Sequence, residues 1–324
     1  MRTLAVATAS MERNGEHVRR HLGGGEFVVE TRGLTKRYGD RIVAVDQLTL
    51  RVRHGEVYGF LGPNGAGKTT TLRMLLGLMR PTAGSAVVLG EAPGSPAGLA
   101  RVGAMIEGPA FYPFLSGRDN LRVLARHAGV PAARIEAALA EVDLSERAAD
   151  KFGTYSQGMK QRLGVAAALF KDPELLILDE PTNGLDPAGM AEMRTLIRGL
   201  GQGRRTVILS SHLMTEVEQI CDRVGVIRAG RLVAEGTVAE LRGEDTLRVR
   251  ATPLAAAREV IARLPGVAGV TAGDALRVRT DPARTAEINR ALVGAGIAVS
   301  ELYWERAPLE DVFLALTQGE EAAA

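Results

Sequence analysis

The chain holds one cysteine, Cys221, in 324 residues. No internal disulfide and no zinc cluster built on cysteines can form from it, which fits a reducing compartment; the thiol is expected to serve as a small buried apolar residue. Aromatic side chains are scarce, at 4% of residues with a single tryptophan. An excess of one charge is lacking too. Forty Lys+Arg stand against 38 Asp+Glu, a formal net charge of +2, so charge makes no case for a nucleic-acid partner. Long apolar runs are also missing: the longest, such as residues 165–170 and 175–178, fall far short of the ~20 that span a bilayer. The short run at 4–9 is too brief for the apolar part of a secretory leader, so residues 1–26 read as a flexible tail and the chain is expected to stay in the cytosol. What is present, 46% hydrophobic and 24% charged residues, is the composition of a globular protein with room for two domains.

From Phe27 onward, β-prone segments at 27–31 and 48–52 lead into the strand 57–61, a Gly-rich turn, and a helix with Leu72, Leu75, Leu76 and Met79 on one face. Residues 175–178 and 206–209 read as strands buried on both faces. Between them lies a helix announced by Asp186 as N-cap and Pro187 at its first position, so this strand-helix-strand unit predicts parallel pairing. Helical periodicity takes over from Ser116, predicting a helical insertion over about 116–170 within an α/β domain that spans 27–243. Beyond it, strands at 246–251, 267–271, 275–280 and 297–304 alternate with helices at 253–264 and 282–293. This β-α-β-β-α-β order predicts a small ferredoxin-like α+β module over 244–317. A last helix is expected at 308–317 and a frayed tail at 318–324.

The strongest chemical signal is Gly62-Pro63-Asn64-Gly65-Ala66-Gly67-Lys68-Thr69-Thr70, which fits G-x-x-x-x-G-K-[ST] between a strand and a helix. Glycines let successive N–H groups turn toward one point, and the helix N-terminus adds its dipole. Lys68 brings a mobile ammonium for the β- and γ-phosphates, and Thr69 offers a hydroxyl to Mg²⁺. A turn that only reversed the chain would need neither Lys68 nor Thr69, and only five lysines occur in the whole sequence. A second site follows at the end of strand 175–178, where Asp179 and Glu180 stand together. Asp179 suits Mg²⁺, usually through water, because hard cations choose carboxylate oxygen; Glu180 can orient and polarise a water in line with the γ-phosphate.

A third segment, Tyr155-Ser156-Gln157-Gly158-Met159-Lys160-Gln161-Arg162, opens a helix for which Ser156 alone is a sufficient N-cap. Its order with the other motifs is more telling: the P-loop, this Ser-Gly helix start, the strand ending in Asp179-Glu180, then Gly184-Leu185-Asp186-Pro187, then His212 after a strand. That series resembles the nucleotide-binding subunit of ABC transporters over residues of about 27–243. The resemblance implies a P-loop cassette fold with ATP and Mg²⁺ as ligands. It also implies Tyr38 as the aromatic stacked on adenine and His212 as the switch that senses the γ-phosphate. Ser156 and Gly158 would then reach the ATP held by a second copy of the chain, in a head-to-tail sandwich with Asp186 at the contact.

Two segments depart from the common pattern of that family. The signature Leu-Ser-Gly-Gly-Gln stands here as Tyr-Ser-Gln-Gly-Met, and Glu107 occupies a position where most members carry a glutamine contacting Mg²⁺ and facing the transmembrane partner. The Glu107 loop with Phe111-Tyr112-Pro113-Phe114-Leu115-Ser116 is similar to exporters of bacitracin and lantibiotics. Leu309-Glu310-Asp311-Val312-Phe313-Leu314 resembles the end of a module found in daunorubicin-resistance exporters. The implied function is an ATPase that powers antibiotic or amphipathic drug and peptide export, working at the cytoplasmic face of the membrane through a separate integral-membrane permease. Its runner-up is a soluble ABC-type ATPase of translation or DNA repair, disfavoured by a single cassette, one cysteine and no sustained heptads. A sensor in which binding outweighs turnover is disfavoured by Glu180 and His212.

Overall fold

Where a strand is buried on both faces it can carry an unbroken apolar run, and the main sheet of this protein is assembled around three of them. The computed structural model describes residues 26–39, 41–203, 205–242 and 245–305. The tail at 1–25, the boundary residue Gly243, the helix expected at 308–317 and the tail at 318–324 lie outside the described residues. The chain divides into two units between Val238 and Ala239.

The first unit opens with β1 (Phe27–Tyr38), β2 (Ile42–Leu48) and β3 (Arg51–Arg53), followed by β4 (Val57–Leu61) and α1 (Lys68–Leu75). Residues 48–52 are not the one strand expected from sequence. Thr31 forces a break there: its hydroxyl donates to the Leu48 carbonyl at 3.0 Å and accepts the Leu50 N–H at 2.9 Å. The chain thereby leaves one part of β1 as β2 and rejoins another as β3. Next come β5 (Ala83–Val88), which pairs with β1, then α2 (Pro96–Ala100) and β6 (Val102–Met105). Three longer helices follow: α3 (Gly117–Ala128), α4 (Ala132–Glu141) and α5 (Gln157–Leu169). Ser116 caps α3 through the Asp119 N–H, and Ser156 caps α5 through the Met159 N–H.

The unit closes with β7 (Leu175–Asp179), α6 (Pro187–Gly201), β8 (Thr206–Ser211), α7 (Met214–Ile220), β9 (Arg223–Arg228) and β10 (Arg231–Thr237). Asp186 caps α6 and Pro187 is its first residue, as its sequence announces. The six-stranded sheet runs β10-β9-β4-β8-β7-β6, parallel throughout except for the β10 edge. Its core joins Phe60, Ile177 and Ile208 of the sheet to Leu72, Met74 and Leu75 of α1. That packing fixes the turn between β4 and α1 against the ends of β7 and β8. Cys221 is buried behind the same sheet, and burial pushes its thiol pKa far up.

After the short α8 (Val238–Leu241), the second unit contains β11 (Thr246–Thr252), α9 (Leu254–Ala262), β12 (Val267–Ala272), β13 (Leu276–Thr280), α10 (Thr285–Gly294) and β14 (Ala298–Glu305). Its antiparallel sheet has the order β12-β13-β11-β14. Leu247, Val249, Leu276 and Val278 pack on Ile261 of α9 and Ile288 and Leu292 of α10. This is a ferredoxin-like arrangement.

Candidate active site

The turn from β4 to α1 is possible because of glycine at its two ends. A Cβ on Gly62 would run into the Ile227 carbonyl oxygen of β9. Gly67 caps α1 with φ +104°, a left-handed conformation, and a Cβ there would meet the Ala44 carbonyl oxygen. Asn64, Gly65 and Ala66 form the loop between them. No acidic residue occupies the first turn of α1, so the helix dipole faces the loop uncompensated.

Lys68 is only 5% exposed, and its ammonium folds back over the loop. It donates to the Gly62 carbonyl at 2.6 Å and the Pro63 carbonyl at 3.2 Å, and pairs with Glu180 Oε1 at 3.1 Å. The Thr69 hydroxyl donates to Asp179 Oδ2 at 2.8 Å. Thr70 follows on the first turn of the same helix. Parallel pairing of β7 with β8 sets Asp179 opposite Ser210. There the buried Ser210 hydroxyl donates to Asp179 Oδ1 at 2.5 Å and accepts the Glu180 N–H at 2.9 Å. Glu180 itself stands at φ +47°, a backbone state that costs an L-residue about 1 kcal/mol. Its second oxygen, Oε2, lies 2.8 Å from His212 Nδ1. Residues from three chain segments, far apart in sequence, thus meet at one end of the parallel sheet.

The other expected residues fall into two further groups. Ser156, Gly158 and Asp186 line a cavity of about 550 Å³ together with Arg147, Arg162 and Glu192. Among the described residues lining it, none belongs to the P-loop. Glu107 has φ +63° and its carboxylate pairs with the guanidinium of Arg73 on α1. It lines a neighbouring cavity of about 520 Å³ with Gln157, Gln161, Asp179 and Glu180, so Gln157 borders both. Tyr38 ends β1 half exposed; Lys36 sits 5.5 Å from its ring centre and its hydroxyl donates to Met79 Sδ at 3.1 Å. Sequence reasoning passed over Arg73, Ser210 and Gln161. The Ser210-Ser211 pair just before His212 was the available signal for the second of these.

A parallel sheet with a phosphate-cradling loop after one strand and paired carboxylates after another defines a P-loop nucleoside triphosphatase. Comparison with known proteins narrows the class. The family model described as ABC transporter matches residues 45–183. The bacitracin transport ATP-binding protein BcrA of Enterococcus faecalis is 38% identical over 301 residues, 91% of this chain and 97% of that protein. BcrA of Bacillus licheniformis is 48% identical over 212 residues, 64% of this chain and 69% of that one. The daunorubicin resistance ATP-binding protein DrrA3 of Streptomyces coeruleorubidus is 41% identical over 302 residues, covering 88% and 94%. Among solved structures, cbiO1 from Clostridium perfringens, part of the ABC transporter complex cbiONQ, superposes with a TM-score of 0.62 at 26% identity, covering 74% of this chain and 97% of that one. The chain belongs to the ATP-binding subunits of the ABC transporter family, and is an ATPase.

Proposed function

We propose that this protein is the ATP-hydrolysing subunit of an exporter, powering expulsion of an antibiotic or amphipathic drug or peptide through a permease carried on a separate chain. The observation that carries this reading is the match along 91% of the chain to a bacitracin transport ATP-binding protein, second unit included. Among the described residues no helix is long and apolar enough to cross a membrane, so the cargo path is assigned to the partner. The protein then works at the cytoplasmic face of the membrane, held there by the permease. In this reading the cassette spans 27–243 and the accessory module 244–317.

The geometry of the site and the family resemblance together support the following assignments. The amides of Gly62, Asn64, Gly65, Ala66, Gly67, Lys68, Thr69 and Thr70 cradle the phosphates, and Lys68 turns from the loop carbonyls to the β- and γ-oxygens. The Thr69 hydroxyl and Asp179 carboxylate converge as hard oxygen donors, a set that fits Mg²⁺, and Glu107 borders the same cavity as Asp179. Bound there, Mg²⁺ would neutralise phosphate charge. Glu180 accepts the proton of the attacking water, and His212 orients Glu180 and senses the γ-phosphate. Tyr38 stacks on adenine. Ser156, Gly158 and Asp186, lining a cavity without P-loop residues, serve the ATP bound by a second copy in a head-to-tail dimer.

Two measurements test the proposal. The full chain, captured from detergent-solubilised membranes, should bring an integral-membrane protein with it, and its ATP turnover in that complex should rise with peptide or polyketide antibiotics. Capture of a soluble ribosomal or DNA-repair partner instead, with turnover indifferent to the whole panel, would sink the export reading.

A further inference from the structure

Beneath the contact between His212 and Glu180 lies another carboxylate, Glu216 of α7, only 2% exposed. Its Oε2 accepts the Thr182 hydroxyl at 2.7 Å and the Ser211 hydroxyl at 2.9 Å. Its Oε1 is buried with no hydrogen-bond partner, and among the described residues it has no cationic partner. Burying a carboxylate without a cation is costly, and an apolar side chain would fill the same space more cheaply. What the carboxylate adds is a tie between two loops. Thr182 stands two residues after Glu180, and Ser211 immediately before His212. Glu180, Pro181, Thr182, Glu216, Ser211 and His212 therefore form a closed circuit, completed by the 2.8 Å contact of His212 Nδ1 with Glu180 Oε2.

We infer that Glu216 is a positioning residue for ATP hydrolysis, acting through the pairing of His212 with Glu180; the inference rests on the ATPase roles proposed above for those two. Each hydroxyl has one proton: Thr182 gives its own to Oε2 at 2.7 Å, and Ser211 Oγ lies nearer Oε2, at 2.9 Å, than the competing Leu213 carbonyl, at 3.4 Å, so the shorter contacts tie both loop ends to the same oxygen. Ser211 is fixed a second time by accepting the Leu213 N–H at 2.9 Å, which holds the turn carrying His212 in one conformation. With the tie cut, ATP still meets an intact P-loop, but His212 and Glu180 are free to part.

The test is steady-state ATP hydrolysis by the full chain, in a double-mutant cycle. Ser211→Ala and Glu216→Leu should each lower kcat by about 10-fold or more with KM for ATP within about 2-fold of the parent. Glu216→Gln, whose amide oxygen can accept both hydroxyls, should keep kcat within about 3-fold. In a His212→Ala background, adding Ser211→Ala should cost less than about 2-fold more, because the pairing it protects is already gone. A Ser211→Ala kcat close to the parent's, a full additive loss in the His212→Ala background, or a Glu216→Gln loss as large as that of Glu216→Leu would each overturn the inference. Should Glu216→Leu fail to fold, the Ser211→Ala cycle decides alone. A His212→Ala protein as fast as the parent would overturn the underlying assignment of His212, which the cycle thus distinguishes from failure of Glu216.

Discussion

Replacing Glu180 by Gln should tighten nucleotide binding even as it stops hydrolysis. In the structure the Lys68 ammonium is held by Glu180 Oε1 at 3.1 Å, with side chains 5% and 19% exposed, and nucleotide must draw it away. At that distance the attraction between unit charges is about 5 kcal/mol for an effective dielectric of 20. Much of this is offset by desolvation, and Lys68 keeps its contacts to Gly62 and Pro63 in either variant. A Gln side chain can still accept a neutral hydrogen bond, so the net loss is the difference between a charged and a neutral one, about 1–2 kcal/mol. Released into binding, that is roughly a 5- to 30-fold tighter Kd. ADP is the informative ligand because it has no γ-phosphate to repel Glu180, so calorimetric titration of the full chain with ADP isolates the Lys68 term. On the role proposed for Glu180, ATP should gain more than ADP, since the carboxylate assigned to the γ-phosphate end of the site has also been neutralised. An ADP affinity unchanged or weakened in Glu180→Gln would refute the reasoning that Lys68 is held in competition with nucleotide.

Three other outcomes are expected. Ser210→Ala removes the donor to the buried Asp179 Oδ1 and strands the part-buried Glu180 N–H; urea unfolding should show a loss of about 2 kcal/mol, and a midpoint equal to the parent's would contradict it. The Arg101 guanidinium, bonded to Glu174 at 2.6 and 2.8 Å, holds that carboxyl below the usual carboxylate range. Its stabilising contribution is therefore complete above the unfolded carboxyl pKa and is lost as pH falls through the folded one, so Glu174→Gln should flatten the acid side of the stability curve below about pH 5 while moving the neutral plateau only modestly. Cys221, buried with its thiol pKa pushed up, should resist thiol-specific labelling in the native protein at mildly alkaline pH and react fully on unfolding; fast labelling of native protein would show that α7 opens locally.

Much of the fold could be read from the chain alone because the signals are local. The apolar runs at 57–61, 175–178 and 206–209 announce buried strands, and Asp186-Pro187 and Ser156 announce helix starts through hydrogen bonds that reach only three residues along. The break at Thr49-Leu50 escaped that reading, since it depends on a hydroxyl 17 to 19 residues away. The elements expected within the described part of the second unit, 245–305, appear with ends shifted by up to three residues, as at β13, β14 and the start of α10.

The sequence by itself determined the nucleotide machinery: a cradle of neighbouring amides with Lys68 and Thr69 attached needs only consecutive residues in the right order, as do the paired carboxylates that end β7. Tertiary structure alone decided how these parts are wired. Thr69 meets Asp179 across 110 residues, Ser210 meets Asp179 across 31, and Glu216 gathers Thr182 and Ser211 into one contact. The physical reason is range. A hydrogen bond acts over about 3 Å, so which distant side chains can form one is set by the register of β7 against β8 and the seat of α7 behind them, and neither leaves a mark in the spacing of residues along the chain.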